Sequence, residues 1–343
     1  MDEIIKLTQN LVRIPSTTGK EGDVAEFIAR YFTNEDIPFQ LNQVEGNRHN
    51  VIAQLENNGN EAILFNGHMD TVPVGDIDKW HEDPYSGVLK EGRIFGRGSS
   101  DMKGGLASAL VAMKLLKKMD LNVNVVFSAV VGEEDGGIGI KHLLKSKFHA
   151  DMAVVCEPTD LDIVRSHKGV AFLKINVGGK DPISRASNIV KSIESMEFNA
   201  QDDLLGKPSA TVGTIKGKSN LGCDVTVDRR ILPDESLEDI LEDMKVATNC
   251  NVDVISSRPP MVTHPSEKIA KCLKKAVYNV CGVVDVVGSP GGTDASYLSR
   301  AGIPSVVFGP GSDPHVSNES VEVEQLHLAT RVYVELVKLV NKN

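Results

Sequence analysis

His68 and Asp70 lie two positions apart just after a short apolar run, Ala62 to Phe65. In extended chain such residues point the same way, so an imidazole and a carboxylate share one face. Asp101 is the single acidic residue among glycines at 92, 96, 98, 104 and 105, a density that implies backbone held in tight, unusual geometry. Further on come the adjacent carboxylates Glu133 and Glu134, then Glu157, then His315. Two imidazoles and several carboxylates form a nitrogen and oxygen ligand set suited to zinc, cobalt or manganese. Carboxylates left alone there would repel, by roughly 4 kcal/mol for a pair 4 Å apart at an effective dielectric near 20. Two divalent cations remove that repulsion. One ligand must then bridge, and an aspartate fixed by glycines suits that part. Such a site polarises a carbonyl and lowers the pKa of water from 15.7 to about 7. It also needs a carboxylate that takes a proton instead of a metal. Glu133 and Glu134 can divide those roles, and spacing alone leaves open which does which.

These residues converge only if the chain between them alternates strand and helix. Val51 to Leu55 and Ala62 to Phe65 read as strands, and Val88 to Phe95 as a small hairpin around Gly92. Leu106 to Lys118 has helical character, Val123 to Val131 is apolar throughout, Gly136 to Leu144 is again helical, and Met152 to Cys156 is another strand. The rhythm predicts an α/β fold with a mostly parallel sheet covered by helices on both faces. Open sheets of that kind carry their chemistry at the carboxyl ends of the strands, where each candidate ligand falls. From Lys168 to about residue 261 the order changes to β-α-β-β-α-β, that of a ferredoxin-like module. Arg258-Pro259-Pro260 reads as its exit, after which the first rhythm resumes with strands near 283 and 305 and a long terminal helix from Val323. The expectation is a catalytic domain of residues 1–167 and 262–343 interrupted by an inserted domain, 168–261.

A chain of 343 residues with 41% hydrophobic and 24% charged content fits an ordinary globular protein of one large domain or two. Its formal net charge of -10, with no basic stripe, argues against nucleic acid or an anionic membrane as partner. The five cysteines lack C-x-x-C spacing, no signal peptide is visible, and no apolar run approaches a membrane span. A cytoplasmic location is expected. Cys156 and the others read as small buried apolar groups. His49, His81, His142, His149 and His327 read as surface or structural residues, and Trp80 as a packing or loop-anchoring one.

Six motifs in order resemble a known family. They are G-H-M-D (67–70), G-R-G-S-S-D-M-K-G-G (96–105), G-E-E-D (132–135), C-E-P-T (156–159), G-G-T-D (291–294) and P-H-V-S-N-E (314–319). The family is that of the co-catalytic zinc peptidases and deacylases, which includes acetylornithine deacetylase, succinyl-diaminopimelate desuccinylase, aminoacylase and bacterial glutamate carboxypeptidase. The resemblance implies two divalent metal ions, zinc first and cobalt or manganese as alternatives. It makes Asp101 the bridge, His68 and Glu157 the ligands of one ion, and Glu134 and His315 those of the other. Glu133 becomes the general base, and Asp70 the carboxylate that orients His68. A glutamate at 157 points to deacylases and carboxypeptidases rather than aminopeptidases, and a cis peptide is implied after Asp101. The expected reaction is removal of an acyl group from an N-acyl amino acid. A dipeptidase or carboxypeptidase with the same machinery is the near alternative, and a metal-binding protein with weak catalysis the more distant one.

The insert resembles the family's lid and dimerisation domain, which implies a possible homodimer, but it departs from the pattern. Gly179-Lys180-Asp181-Pro182-Ile183-Ser184 carries isoleucine where the family has a histidine that helps stabilise the tetrahedral intermediate. No histidine occurs between His167 and His264. Asp228-Arg229-Arg230-Ile231-Leu232-Pro233 keeps the D-x-R-x-x-P pattern, so Arg230 is the candidate for a substrate carboxylate. Asn220, in Ser219-Asn220-Leu221-Gly222 where the family's N-x-x-P segment is shortened, and Gly291, Gly292 and Thr293, are the other candidate substrate contacts. Gly291 to Asp294 has the plainer reading of a helix N-cap.

Overall fold

The computed structural model describes residues 2–57, 59–146, 148–218 and 221–342. The chain divides into two compact units, one of residues 1–165, 263–287 and 293–343, the other of residues 166–262 and 288–292.

The first unit is built on a sheet whose strands run in the order Phe39–Glu45, Arg48–Leu55, Val123–Val130, Glu61–His68, Met152–Val155, Ser305–Val307 and Ile163–His167. Its centre is parallel: Glu61–His68 pairs in parallel with both Val123–Val130 and Met152–Val155, and Ser305–Val307 with Met152–Val155. The flanking pairs are antiparallel. Parallel strands need covering on both faces, and the sequence supplies apolar residues at every position from Ala62 to Phe65. Ile63 and Phe65 meet a core shared by the helices Glu3–Val12, Gly22–Asn34, Gly104–Leu116, Lys268–Cys281 and Val323–Lys342. Leu64 and Val126 are equally buried on the other face, where Ile138–Lys145 and Ala295–Arg300 pack. Tyr333 is fully buried; its ring lies 5.1 Å from that of Phe65 and its hydroxyl donates to the Phe308 carbonyl at 2.8 Å. The hairpin Val88–Lys90 and Arg93–Phe95 gains a third strand, Ser320–Glu322, that the sequence did not announce.

The second unit follows the β-α-β-β-α-β order, with strands Gly169–Val177, Ser209–Lys218, Gly222–Ile231 and Asn251–Arg258 and helices Pro182–Glu194 and Leu237–Thr248. Its antiparallel sheet runs second, third, first, fourth. Alternate residues of the central strands, Leu173, Ile175, Val225 and Val227, are buried with Ala186, Ile189 and Met244 of the helices. Ile183 is 52% exposed on the first helix. Among the described residues no helix is long and apolar enough to cross a membrane.

Candidate metal centre

His68 is the last residue of the Glu61–His68 strand rather than the third beyond it, because the ladder with Val123–Val130 continues to the pair His68↔Val130. It is buried, and its Nδ1 lies 2.9 Å from the Asp70 backbone carbonyl. A carbonyl can only accept, so Nδ1 carries a proton, and Nε2 is the nitrogen turned inward. That Nε2 is 2.9 Å from Asp101 Oδ1 and 3.6 Å from Glu157 Oε1. On the other side His315 Nε2 is 3.2 Å from Asp101 Oδ2 and 3.0 Å from Glu134 Oε1. Asp101 therefore turns one oxygen towards each imidazole. Donor atoms of His68, Asp101 and Glu134, and of His68, Glu133 and Glu157, lie within 4.8 Å of one another.

Asp101 sits in an irregular turn, Ser99–Lys103, entered through Gly98 at φ 85° and followed by a cis peptide to Met102. Glycine suits position 98 because a left-handed φ strains a residue with a side chain and an added Cβ would stand 2.8 Å from the Thr71 side chain. The turn is anchored by Glu319, whose Oε1 accepts the N–H groups of Ser100 (2.9 Å) and Asp101 (3.0 Å). Arg97 donates to the other oxygen, Oε2, at 2.5 Å, and lies 5.2 Å from the centre of the Trp80 ring. Trp80 is thus a loop anchor, and its indole N–H also donates to the Val74 carbonyl at 2.9 Å.

Asp70 differs from the expectation in how it acts. Its carboxylate Oδ1 stands 3.6 Å from His68 Nδ1, farther than its own backbone carbonyl. The two oxygens are instead taken by the backbone N–H groups of Glu133 (3.1 Å) and Glu134 (3.2 Å) and by the Thr18 hydroxyl (2.8 Å). Burial works against that charge, but these bonds and His68 hold the carboxyl below its usual range. One residue so fixes the ring of His68 through its main chain and the Glu133-Glu134 turn through its side chain. Behind it, Ser16 donates to the Met69 carbonyl at 2.8 Å and Thr71 N–H to the Ser16 carbonyl at 2.9 Å.

Burial opposes charge on His68, yet Glu157, Asp101 and Asp70 hold its pKa well above the imidazole range. His315, about half exposed, is raised to about 10 by its hydrogen bonds to Asp101 and Glu134. Burial would raise Asp101, but the two histidines outweigh it and hold it low. Burial raises Glu134 and, far more, Glu157, with the charge of Asp101 adding to both. Asp101, Glu133, Glu134 and Glu157 thus present four carboxyl groups to two imidazoles. Two divalent cations beside neutral rings would balance all four. The donor set fits such cations in type and in charge.

The remaining candidates have contacts of their own. Arg230 belongs to the second unit, where its Nε and Nη2 bond Asp228 at 2.9 and 3.0 Å and its Nη1 donates to the Pro290 carbonyl. Its guanidinium fork is already filled by a carboxylate two residues away on the same face of its strand. Gly291 and Gly292 group with the second unit too, and Arg258 donates to the Gly292 carbonyl at 3.0 Å. Thr293 Oγ1 accepts from Ala295 N–H at 3.2 Å, a capping contact at the Ala295–Arg300 helix. Asn220 lies outside the described residues. Sequence reasoning missed Thr18, Arg97 and Glu319. The last two stand inside the quoted motifs, so the signal was present without a role attached.

The model of Peptidase family M20/M25/M40 matches residues 64–339. Succinyl-diaminopimelate desuccinylase of Magnetococcus marinus is 27% identical, covering 98% of each chain. N-formyl-4-amino-5-aminomethyl-2-methylpyrimidine deformylase of Halalkalibacterium halodurans is 25% identical over 98% of this chain and 94% of its own. Among solved structures, an M20 family metallo-carboxypeptidase of Sulfolobus solfataricus superposes with a TM-score of 0.86 at 20% identity, covering all of both chains. With most of its length spanned by the family match, the chain belongs to peptidase family M20/M25/M40, the metal hydrolases of amide or peptide bonds.

Proposed function

We propose that this protein removes a short acyl group from the nitrogen of a small amine or amino acid, using two divalent cations. The observation that carries this reading is the double aspect of Asp101, with Oδ1 facing His68 at 2.9 Å and Oδ2 facing His315 at 3.2 Å. His68 and Glu157 would hold one cation, Glu134 and His315 the other, and Asp101 both, with zinc the first candidate. Assigning Glu134 as ligand and Glu133 as base is supported by the 3.0 Å contact of Glu134 with His315. When bound, the cation pair supplies Lewis acidity, polarising the scissile carbonyl and making water acidic enough to lose a proton near neutral pH. Glu133 takes that proton as water adds to the carbonyl carbon and gives it to the departing nitrogen as the C–N bond breaks. Asp70 keeps Glu133 in reach by holding its N–H. The desuccinylase and the deformylase among the relatives share the removal of a small acyl group from nitrogen, which supports a deacylase over a peptidase.

Parallel assays of acetylornithine, succinyl-diaminopimelate, a formylated amine and simple dipeptides test the reading, with Zn²⁺ or Co²⁺ supplied. Turnover of the acylated compounds is expected to exceed that of dipeptides. Preference for dipeptides would overturn it in favour of a peptidase. Glu133→Gln is expected to keep its metal and lose about 10²–10⁴-fold in kcat. Wild-type turnover in that variant would remove Glu133 from its role.

A further inference from the structure

We propose that Glu319 is a positioning residue for Asp101, and that it couples the Asp101 turn to the loop that carries His315. The inference rests on the two-cation reading above but adds a residue to which that reading gives no part. Glu319 is 1% exposed, and its carboxylate bonds backbone N–H groups and Arg97. Its carboxylate is divided between two tasks. Oε1 accepts the consecutive N–H groups of Ser100 and Asp101, at 2.9 and 3.0 Å. Oε2 takes the guanidinium of Arg97, itself 2% exposed. A carboxylate that accepts from two adjacent backbone N–H groups fixes the peptide plane between them, and with it the direction of the Asp101 side chain.

The same segment is tied at other points. Glu319's own carbonyl accepts from Gly96 N–H at 2.9 Å, and Ser100 Oγ donates to the Ser312 carbonyl at 2.8 Å. Asn318 accepts from His81 N–H at 2.7 Å and donates to the Lys79 carbonyl at 3.0 Å. His315 is therefore bracketed by residues 312 and 318–319, each bonded to the turn of Asp101 or to the loop beside it. The spacing between the two Asp101 oxygens and the second imidazole is set by this clamp and not by the ligands alone. A buried charge so placed is costly unless paired, and Arg97 provides the pair.

The test uses Glu319→Gln and Glu319→Asp in the full chain. Glutamine keeps the size but sets an amide N–H₂ against either Arg97 or the two backbone donors. Aspartate keeps the charge and loses reach, and it serves if the glutamine variant does not fold. Two measurements are made beside kcat and KM. In the metal-free protein, hydrogen exchange at the Ser100 and Asp101 amides is expected to quicken by about tenfold or more while that of the central strands stays unchanged. In titration with Co²⁺ alone, the variants are expected to bind the ion about 10–100-fold more weakly with an altered visible spectrum, and kcat to fall by a similar factor with KM little changed. Unchanged exchange at those two amides in a folded variant would overturn the proposal. So would wild-type Co²⁺ affinity and spectrum. A wild-type protein that binds no Co²⁺ would sink the two-cation reading, and amide exchange would still decide the role of Glu319.

Discussion

Gly105, the second residue of the helix Gly104–Leu116, has no room for a side chain. A Cβ built there would stand 1.9 Å from the backbone oxygen of Cys156, where contacts below 3.0 Å essentially never occur. Gly105→Ala must therefore part the helix from the end of the Met152–Val155 strand by at least about 1 Å. Neither partner is a flexible side-chain tip. Asp101 lies four residues before Gly105 and Glu157 directly follows Cys156, so the displaced distance is one between two proposed ligands. A misplacement of about 1 Å can cost about 10²-fold in rate, or roughly 2.7 kcal/mol of transition-state stabilisation. Overpacking adds about 1–3 kcal/mol of destabilisation, which for a domain of this size lowers Tm by about 3–10 °C. The assay is kcat and KM on whichever acylated amine the wild type turns over best, with calorimetric Tm. Gly178→Ala is the control, since nothing lies within 4 Å of its added Cβ; it should stay within about 0.5 kcal/mol of wild type. Wild-type kcat and Tm in Gly105→Ala would refute the premise that this contact sets the ligand spacing.

Asp70→Asn leaves one of the N–H groups of Glu133 and Glu134 facing an amide N–H₂. Urea unfolding should show a loss of about 1–3 kcal/mol, and kcat should fall about 10–100-fold. His167 is fully buried, and burial lowers its pKa from 6.5 to about 4. The unfolded chain then binds a proton that the folded one refuses, so stability is full above pH 6.5 and is lost as pH falls from 6.5 to about 4. The shift is worth about 3 kcal/mol. In His167→Asn that component should vanish, which the wild-type minus variant difference in urea unfolding across pH 7 to 4 would reveal; a flat difference would refute it.

Most of the metal-centre candidates were legible because His68 closes an apolar strand and Glu133, Glu134, Glu157 and His315 follow others, and buried strands in a parallel sheet read as continuous hydrophobic runs. Type and order of the motifs then narrowed the chemistry. What escaped is what depends on contacts between distant segments. Nothing in Ile14-Pro15-Ser16-Thr17-Thr18 marks Thr18 as a donor to Asp70. Glu319 was visible inside P-H-V-S-N-E, yet its partners stand 218 to 222 positions away. Ser320–Glu322 is too short for its alternation to register, and it exists as a strand only because Arg93–Phe95 offers an edge. Arg230 was marked by its pattern as a candidate for a substrate carboxylate, and its bonds to Asp228 are likewise a contact the pattern does not announce.

The place of Ser305–Val307 between Met152–Val155 and Ile163–His167 bears on how the chain is made. Two strands that leave the ribosome early must wait, with adjoining edges unpaired, until some 150 further residues have emerged. Loop closure over that distance is slow, and exposed strand edges invite association with other chains. The intervening residues, most of which form a compact unit of their own, can fold during the wait. The slot closes only once the C-terminal segment is synthesised, which also brings His315 and Glu319. Cation capture by the full proposed donor set is thereby deferred until His315 has emerged, and a chain released before residue 305 would carry four of the five proposed ligands beside an open edge.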